Sequence, residues 1–303
     1  MIKAALAGQP NCGKSTIFTM MSGVNQRVAN YPGVTVEKKS TRLSYKSEEI
    51  ELVDLPGTYS FSAFSMEEKA TVAYLLDDDP DVIINVIDAS CLKRSLYLTF
   101  QLLEIGKPVI VVLNMMDIAK RRGLTLDRAA LETALGVPVI EAVGSKGIGK
   151  EAILTAMLAA KKDGAVDNSP QKRPHAYSEI ETELNQVESL LTAEPLLSEL
   201  CNQIDPRWLA LKVLENNQTV IERIDARAPA FMEQLHQGAH AKDPNKTAKT
   251  IDSIVAAERY RAANLIYEAC VSEPLDKKPT LTNLIDKVVL NRWLSFLILG
   301  LVI

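Results

Sequence analysis

Gly8-Gln9-Pro10-Asn11-Cys12-Gly13-Lys14-Ser15 stands directly after the apolar run Ala4–Ala7 and directly before a helix-like stretch. It fits GxxxxGK[ST] in the strand, loop and helix context that phosphate binding demands. The glycines let backbone N–H groups turn inward around phosphates, and the helix N-terminus adds the positive end of its dipole. Lys14 is placed to reach the β and γ phosphates and Ser15 to ligate Mg²⁺. Gly8, Pro10, Asn11, Cys12, Gly13, Lys14, Ser15 and Thr16 are the expected nucleotide contacts of this loop.

Around the loop, short apolar runs at Ala4–Ala7, Ile50–Val53, Val82–Ile87, Val109–Leu113 and Val137–Ile140 alternate with helix-like stretches. That rhythm predicts an α/β sheet with crossover helices. Thr35–Ser44 and Glu48–Val53, joined at Lys46 and Ser47, read as a hairpin, so one edge is antiparallel. The expected fold class is α/β: a P-loop GTPase domain over residues 1–162, with a mixed, mostly parallel six-stranded sheet and helices on both faces. A polar, proline-bearing linker follows at 163–177. Leu184, Val187, Leu191, Leu209, Val213, Val220, Ile221 and Ile224 then recur at helical spacing, which predicts an all-α helical domain over 178–268. Residues 269–303 open on a second breaker and become steadily apolar. Trp293–Ile303 carries no charge but is shorter than the ~20 residues of a membrane helix.

Three further motifs complete a nucleotide site. Asp54-Leu55-Pro56-Gly57 follows an apolar strand, where Asp54 can hold the Mg²⁺ shell and the Gly57 N–H can meet a γ-phosphate. Thr35, in Asn30-Tyr31-Pro32-Gly33-Val34-Thr35, can add a hydroxyl to Mg²⁺ when the γ-phosphate is present. Asn114-Met115-Met116-Asp117 ends the strand Val109–Leu113, at the sheet edge where open α/β folds bind ligands. Guanine offers N1–H and N2–H₂ side by side to an acceptor pair and adenine does not, so Asp117 should select GTP over ATP. Met115 stands where the motif's commonest form has Lys. Val143, Gly144 and Ser145, in the loop Ala142–Gly147, are placed for their N–H groups to reach the guanine carbonyl, although a plain turn explains those residues about as well.

For hydrolysis, Asn11, Lys14, Thr35 and Gly57 are the expected catalytic residues. No Gln follows Gly57, so the usual water-positioning residue is missing. Asn11 offers another route, because a side-chain carbonyl in the loop can coordinate K⁺ against the β and γ phosphates. Glu67 and Glu68 read as solvated helix charges.

The 303 residues are 47% hydrophobic and 24% charged, a globular composition. Lys+Arg 34 against Asp+Glu 38 leaves net charge -4, which excludes nucleic acid as a main partner. Cys12, Cys91, Cys201 and Cys270 form no CxxC pair, which argues against a zinc ribbon or disulfide framework and fits a reducing compartment. The N-terminus reads as a first strand and not as a signal peptide. His236 and His240 read as a surface pair.

The ordered set GQPNCGKST, NYPGVTVEKK, DLPG and NMMD closely resembles the GTPase domain of the ferrous iron transport protein B family. Pro206–Glu215 resembles that family's helical-domain signature; Glu258-Arg259-Tyr260 and Leu281–Leu290 resemble the approach to its first membrane helix. The resemblance implies GTP/GDP, Mg²⁺ and K⁺ as cofactors, a helical domain that slows GDP release, and Fe²⁺ as the transported substrate of the full-length protein. It also implies a C-terminal membrane permease as partner, homo-oligomers among its assemblies, and a place on the cytoplasmic side of the cell inner membrane. The alternative from the residues alone is a soluble K⁺-activated regulatory GTPase of the ribosome-assembly or tRNA-modification type, disfavoured because no basic appendage follows.

Overall fold

The computed structural model describes residues 1–23, 26–31, 35–62, 65–163, 177–231, 233, 235 and 248–273. The expectations for Pro32, Gly33, the histidine pair, most of the linker and the apolar tail lie outside them. Met1–Val271 is one compact unit; Ser272–Ile303 is a second, of which only Ser272 and Glu273 are described.

In chain order the strands are β1 Ile2–Gly8, β2 Arg27–Asn30, β3 Glu37–Tyr45, β4 Glu48–Asp54, β5 Val82–Asp88, β6 Val109–Asn114, β7 Thr125–Leu126 and β8 Val139–Glu141. The helices are α1 Lys14–Ser22, α2 Met66–Asp77, α3 Leu92–Glu104, α4 Met116–Arg121, α5 Arg128–Leu135 and α6 Lys150–Asp163. They continue with α7 Glu181–Ala193, α8 Ser198–Gln203, α9 Pro206–Leu214, α10 Gln218–Asp225 and α11 Ala248–Cys270.

The main sheet has seven strands in the order β2-β3-β4-β1-β5-β6-β8. β4-β1-β5-β6-β8 are parallel, and β2-β3-β4 are antiparallel. The six expected strands become seven because β2 adds an edge strand. Its four residues are all exposed, so no buried alternation marks it in the sequence. The β3-β4 hairpin turns at Lys46 and Ser47, whose φ values of 47° and 66° are the two left-handed positions a tight primed turn requires.

Side-chain alternation along the strands divides the core. Ala4, Leu6, Leu52, Ile84 and Val112 face α1 and α6 through Ile17, Phe18, Ile153 and Met157. Ala5, Val53, Ile83, Val111 and Leu113 face the other way, into the apolar cluster that takes in α2, α3 and the helices after residue 177. Leu184, Val187, Leu191, Leu209, Val213, Val220 and Ile224 are all buried there, as their helical spacing predicts; Ile221 is half-buried. Trp208, 1% exposed, fills the centre of that helical layer.

The register places the chemistry. Leu6 pairs with Asp54, Gly8 with Val86, and Asp88 with Asn114. The carboxyl ends of β1, β4, β5 and β6 therefore emerge along one edge, where an open α/β sheet forms its ligand crevice.

Candidate functional site

The loop from β1 to α1 is shaped by its backbone. Asn11 has φ 65° and Gly13 φ 81°, left-handed values that turn the chain back on itself. A Cβ on Gly13 would lie 2.3 Å from Asn114 Nδ2, so only glycine fits. α1 starts at Lys14 with no side-chain cap, which leaves its first-turn N–H groups facing the loop. Asn11, Ser15 and Thr16 are exposed, while Cys12 is buried and its thiol is pushed up to about 11 by burial. The Cys12 side chain is thus a neutral filler, and its carbonyl is the useful group.

Lys14 Nζ donates to Asp54 Oδ1, and both side chains are buried. The loop's cation and the acidic residue at the end of β4 are therefore in direct contact. The segment after Asp54 is drawn against the same loop. Thr58 N–H donates to the Gly8 carbonyl at 3.2 Å, and Gly57 packs on Pro10. The Tyr31 hydroxyl donates to the Asp54 carbonyl at 3.2 Å, and Tyr31 N–H to the Val36 carbonyl at 2.9 Å. Thr35 lies exposed between those two anchors.

Asn114 is the staple of the site. Its Nδ2 donates to the Cys12 carbonyl at 3.0 Å, and its Oδ1 accepts from Gly144 N–H at 3.0 Å. Buried and fully engaged, it ties the phosphate loop to the loop after β8. Met115, at φ 60°, turns the chain into α4 with its methyl close to Gly13. Asp117 sits in the first turn of α4, and Lys146 Nζ pairs with its Oδ2 at 3.0 Å. That hydrogen bond holds the Asp117 carboxyl below its usual range and keeps both oxygens as acceptors.

Two expectations for the loop 142–147 change. Val143 N–H donates to the Ile148 carbonyl at 3.2 Å, and Gly144 N–H is taken by Asn114. Both are held within the fold, and exposed Ser145 follows them in the 3-10 turn Gly144–Lys146. Glu68 is not simply a solvated charge, because its carboxylate accepts from Ser60 and Ser62 hydroxyls at 2.9 Å each while Ser65 caps α2 through Glu68 N–H. Sequence reading also did not pair Lys146 with Asp117; the signal was a lone cation in the base loop. Among the described residues no group of His, Cys, Asp or Glu side chains could hold a metal ion by itself, and no helix is long and apolar enough to cross a membrane.

The donor set fits a magnesium nucleotide. A glycine-shaped cradle with inward N–H groups and a lysine suits phosphate oxygens. The Ser15 hydroxyl and Asp54 carboxylate are hard oxygen ligands of the kind Mg²⁺ prefers.

Sheet order, phosphate loop, Asp54 and the Asn114 staple together define a P-loop G domain that carries a helical domain. The particular family is equally clear: the chain belongs to the ferrous iron transport protein B family, whose model matches residues 2–157, and the FeoB cytosolic helical domain matches residues 177–272. The Fe(2+) transporter FeoB of Escherichia coli (strain K12) is 38% identical over 295 residues, covering 96% of this chain and 36% of the relative. The chain thus spans 36% of the length of the curated relatives it matches. The cytosolic domain of T. maritima FeoB in its GMPPNP form superposes with a TM-score of 0.76 at 32% identity, covering 90% of this chain and 100% of that one. The cytosolic domain of L. pneumophila FeoB gives 0.73 at 33% identity, with 89% and 100% covered.

Proposed function

We infer that this chain binds and hydrolyses GTP as the cytosolic module of a ferrous iron transporter. It would act on the cytoplasmic side of the inner membrane beside the permease that carries Fe²⁺. The observation that carries the nucleotide reading is the Asn114 staple: one buried amide holds the phosphate loop against the base loop, with Asp117 three residues on in α4. The family relationship and the GMPPNP form of the T. maritima domain support it.

In this reading Lys14 leaves Asp54 for the β and γ phosphates, which frees the carboxylate for the Mg²⁺ shell. Ser15 and Thr35 supply hydroxyl ligands, and Gly57 N–H meets the γ-phosphate. Asp117 accepts from guanine N1–H and N2–H₂, and Ser145 N–H donates to the guanine carbonyl. Asn11, exposed at the loop tip, offers its amide oxygen to K⁺. The two cations, when bound, set positive charge against the phosphates as bond cleavage develops negative charge there.

Asp117→Asn tests the base assignment, because an amide places a donor where guanine needs an acceptor. GTP binding should weaken and xanthosine triphosphate binding should appear. Unchanged GTP affinity would remove Asp117 from the role. Turnover measured in parallel in K⁺ and in Na⁺ tests Asn11: the wild type should be faster in K⁺, and Asn11→Ala should erase the difference.

A further inference from the structure

The segment after Gly57 is gripped from several sides, and one grip comes from the helical domain. The Arg94 guanidinium lies 4.5 Å from the Tyr59 ring centroid, and Glu68 holds Ser60 and Ser62. The grip on Phe61 is on its backbone. Gln101 Oε1 on α3 accepts from Phe61 N–H at 2.6 Å, and Asn217 Nδ2 donates to the Phe61 carbonyl at 2.9 Å. Phe61, Gln101 and Asn217 are all buried. Asn217 is also the N-cap of α10, its Oδ1 accepting from Val220 N–H at 3.2 Å. α10 is tied down again at its far end, where Arg223 forms a two-pronged pair with Asp77 of α2 at 2.9 and 2.5 Å.

We propose that Asn217 is the positioning residue through which the helical domain reads the conformation of residues 58–62. Both polar ends of its amide are in use: one starts α10, the other holds the Phe61 peptide. Any displacement of Phe61 must either break a buried hydrogen bond or shift the start of α10, because a buried carbonyl without a partner is costly. The clamp reaches Phe61 from α3 and the helical domain. Drawing Gly57 toward a γ-phosphate therefore works against it, and the clamp favours the diphosphate state. By linkage, whatever Asn217 contributes to one nucleotide state must appear as a change in the ratio of the two nucleotide affinities. This inference rests on the guanine-nucleotide reading above and adds the route by which it reaches α10.

Asn217→Asp separates the two duties, since Asp is a good N-cap but has no Nδ2 donor. Asn217→Ser caps as well and is too short to reach Phe61. Dissociation constants for GDP and GMPPNP are measured on the 303-residue chain and both variants, with amide exchange followed over the peptides spanning 57–62 and 217–225. Both variants should shift the affinity ratio toward GMPPNP by about fivefold, the population change that one net hydrogen bond supplies. In the wild type, α10 exchange should differ between the two nucleotides, and in the variants that difference should vanish. An unchanged ratio, a shift toward GDP, or a nucleotide-dependent α10 difference that persists in both variants overturns the proposal. If the wild type binds neither nucleotide, the guanine-nucleotide reading falls and takes this one with it. Binding with an unchanged ratio defeats this inference alone.

Discussion

Replacing Arg259 with methionine removes the most deeply buried cation among the described residues, at 1% exposure. On α11, its Nη2 and Nε donate to Glu104 on α3 at 2.7 and 3.1 Å, and its Nη1 to Glu215, after α9, at 3.3 Å. Tyr97 and Tyr177 lie 5.7 and 5.8 Å from the guanidinium, and the Tyr177 hydroxyl donates to Glu104 at 2.5 Å. Methionine fills the volume but leaves Glu104 buried with a phenol as its remaining named partner, while Glu215 keeps Lys212 at 2.5 Å. Removing one member of a buried charged cluster costs about 3–5 kcal/mol, mostly the penalty of the stranded carboxylate. For a unit of this size each kcal/mol moves Tm by roughly 2 °C, so calorimetry should show Tm falling by about 6–10 °C. Raising salt from 0.1 to 0.5 M should change that loss little, because buried pairs are weakly screened (approximate concentrations). Adding Glu104→Gln and Glu215→Gln to Arg259→Met should restore most of it, since neutral amides tolerate the missing cation. A loss under about 1 kcal/mol in the single variant would refute the reasoning and assign the cluster the small worth of a surface pair.

Gly13→Ala combines a left-handed φ of 81° with a Cβ 2.3 Å from Asn114 Nδ2. It should displace the staple and weaken nucleotide binding by at least about tenfold, read by titration with fluorescent GDP, since it strands two buried hydrogen-bond partners. Burial pushes the Cys12 thiol up to about 11 and raises the phenols of Tyr31, Tyr74 and Tyr177 above their ordinary range. These groups ionise more readily once unfolded, so their contribution is complete below about pH 9 and is lost as pH rises through the folded values. Urea midpoints should fall steadily from pH 9 to 11. At pH 8 a thiol reagent should modify exposed Cys91 quickly and buried Cys12 only on unfolding.

Much of the site was legible because its signals are local. The phosphate loop, the acidic strand end and the Asn114–Asp117 turn each lie within a few residues, bounded by apolar runs that only a sheet accommodates. Val109–Leu113 becomes β6 because five successive apolar side chains must be buried on both faces of the sheet, and Asn114 follows as its last residue. What escaped was non-local or unpatterned. β2 is exposed throughout and shows no alternation, and only its pairing with β3 makes it a strand. The loop 142–147 looked ready to offer Val143 and Gly144 N–H groups, yet those donors were claimed by Ile148 and Asn114, partners set by packing. Glu68 read as solvated because its hydroxyl partners belong to the preceding loop.

The amino-acid sequence by itself determined the order of strands and helices, the phosphate loop and the guanine-selecting carboxylate, because each depends on periodicity or on contiguous chemistry. Tertiary structure alone decided that Asn114 bridges two loops, that Lys146 guards Asp117, that Arg259 lies between Glu104 and Glu215, and that Asn217 reaches the Phe61 peptide across 156 residues of chain. Each joins groups remote in sequence whose partners are chosen by the exclusion of water: a buried polar group must find whatever complementary atom the fold brings within 3 Å, and no local pattern announces which one that will be.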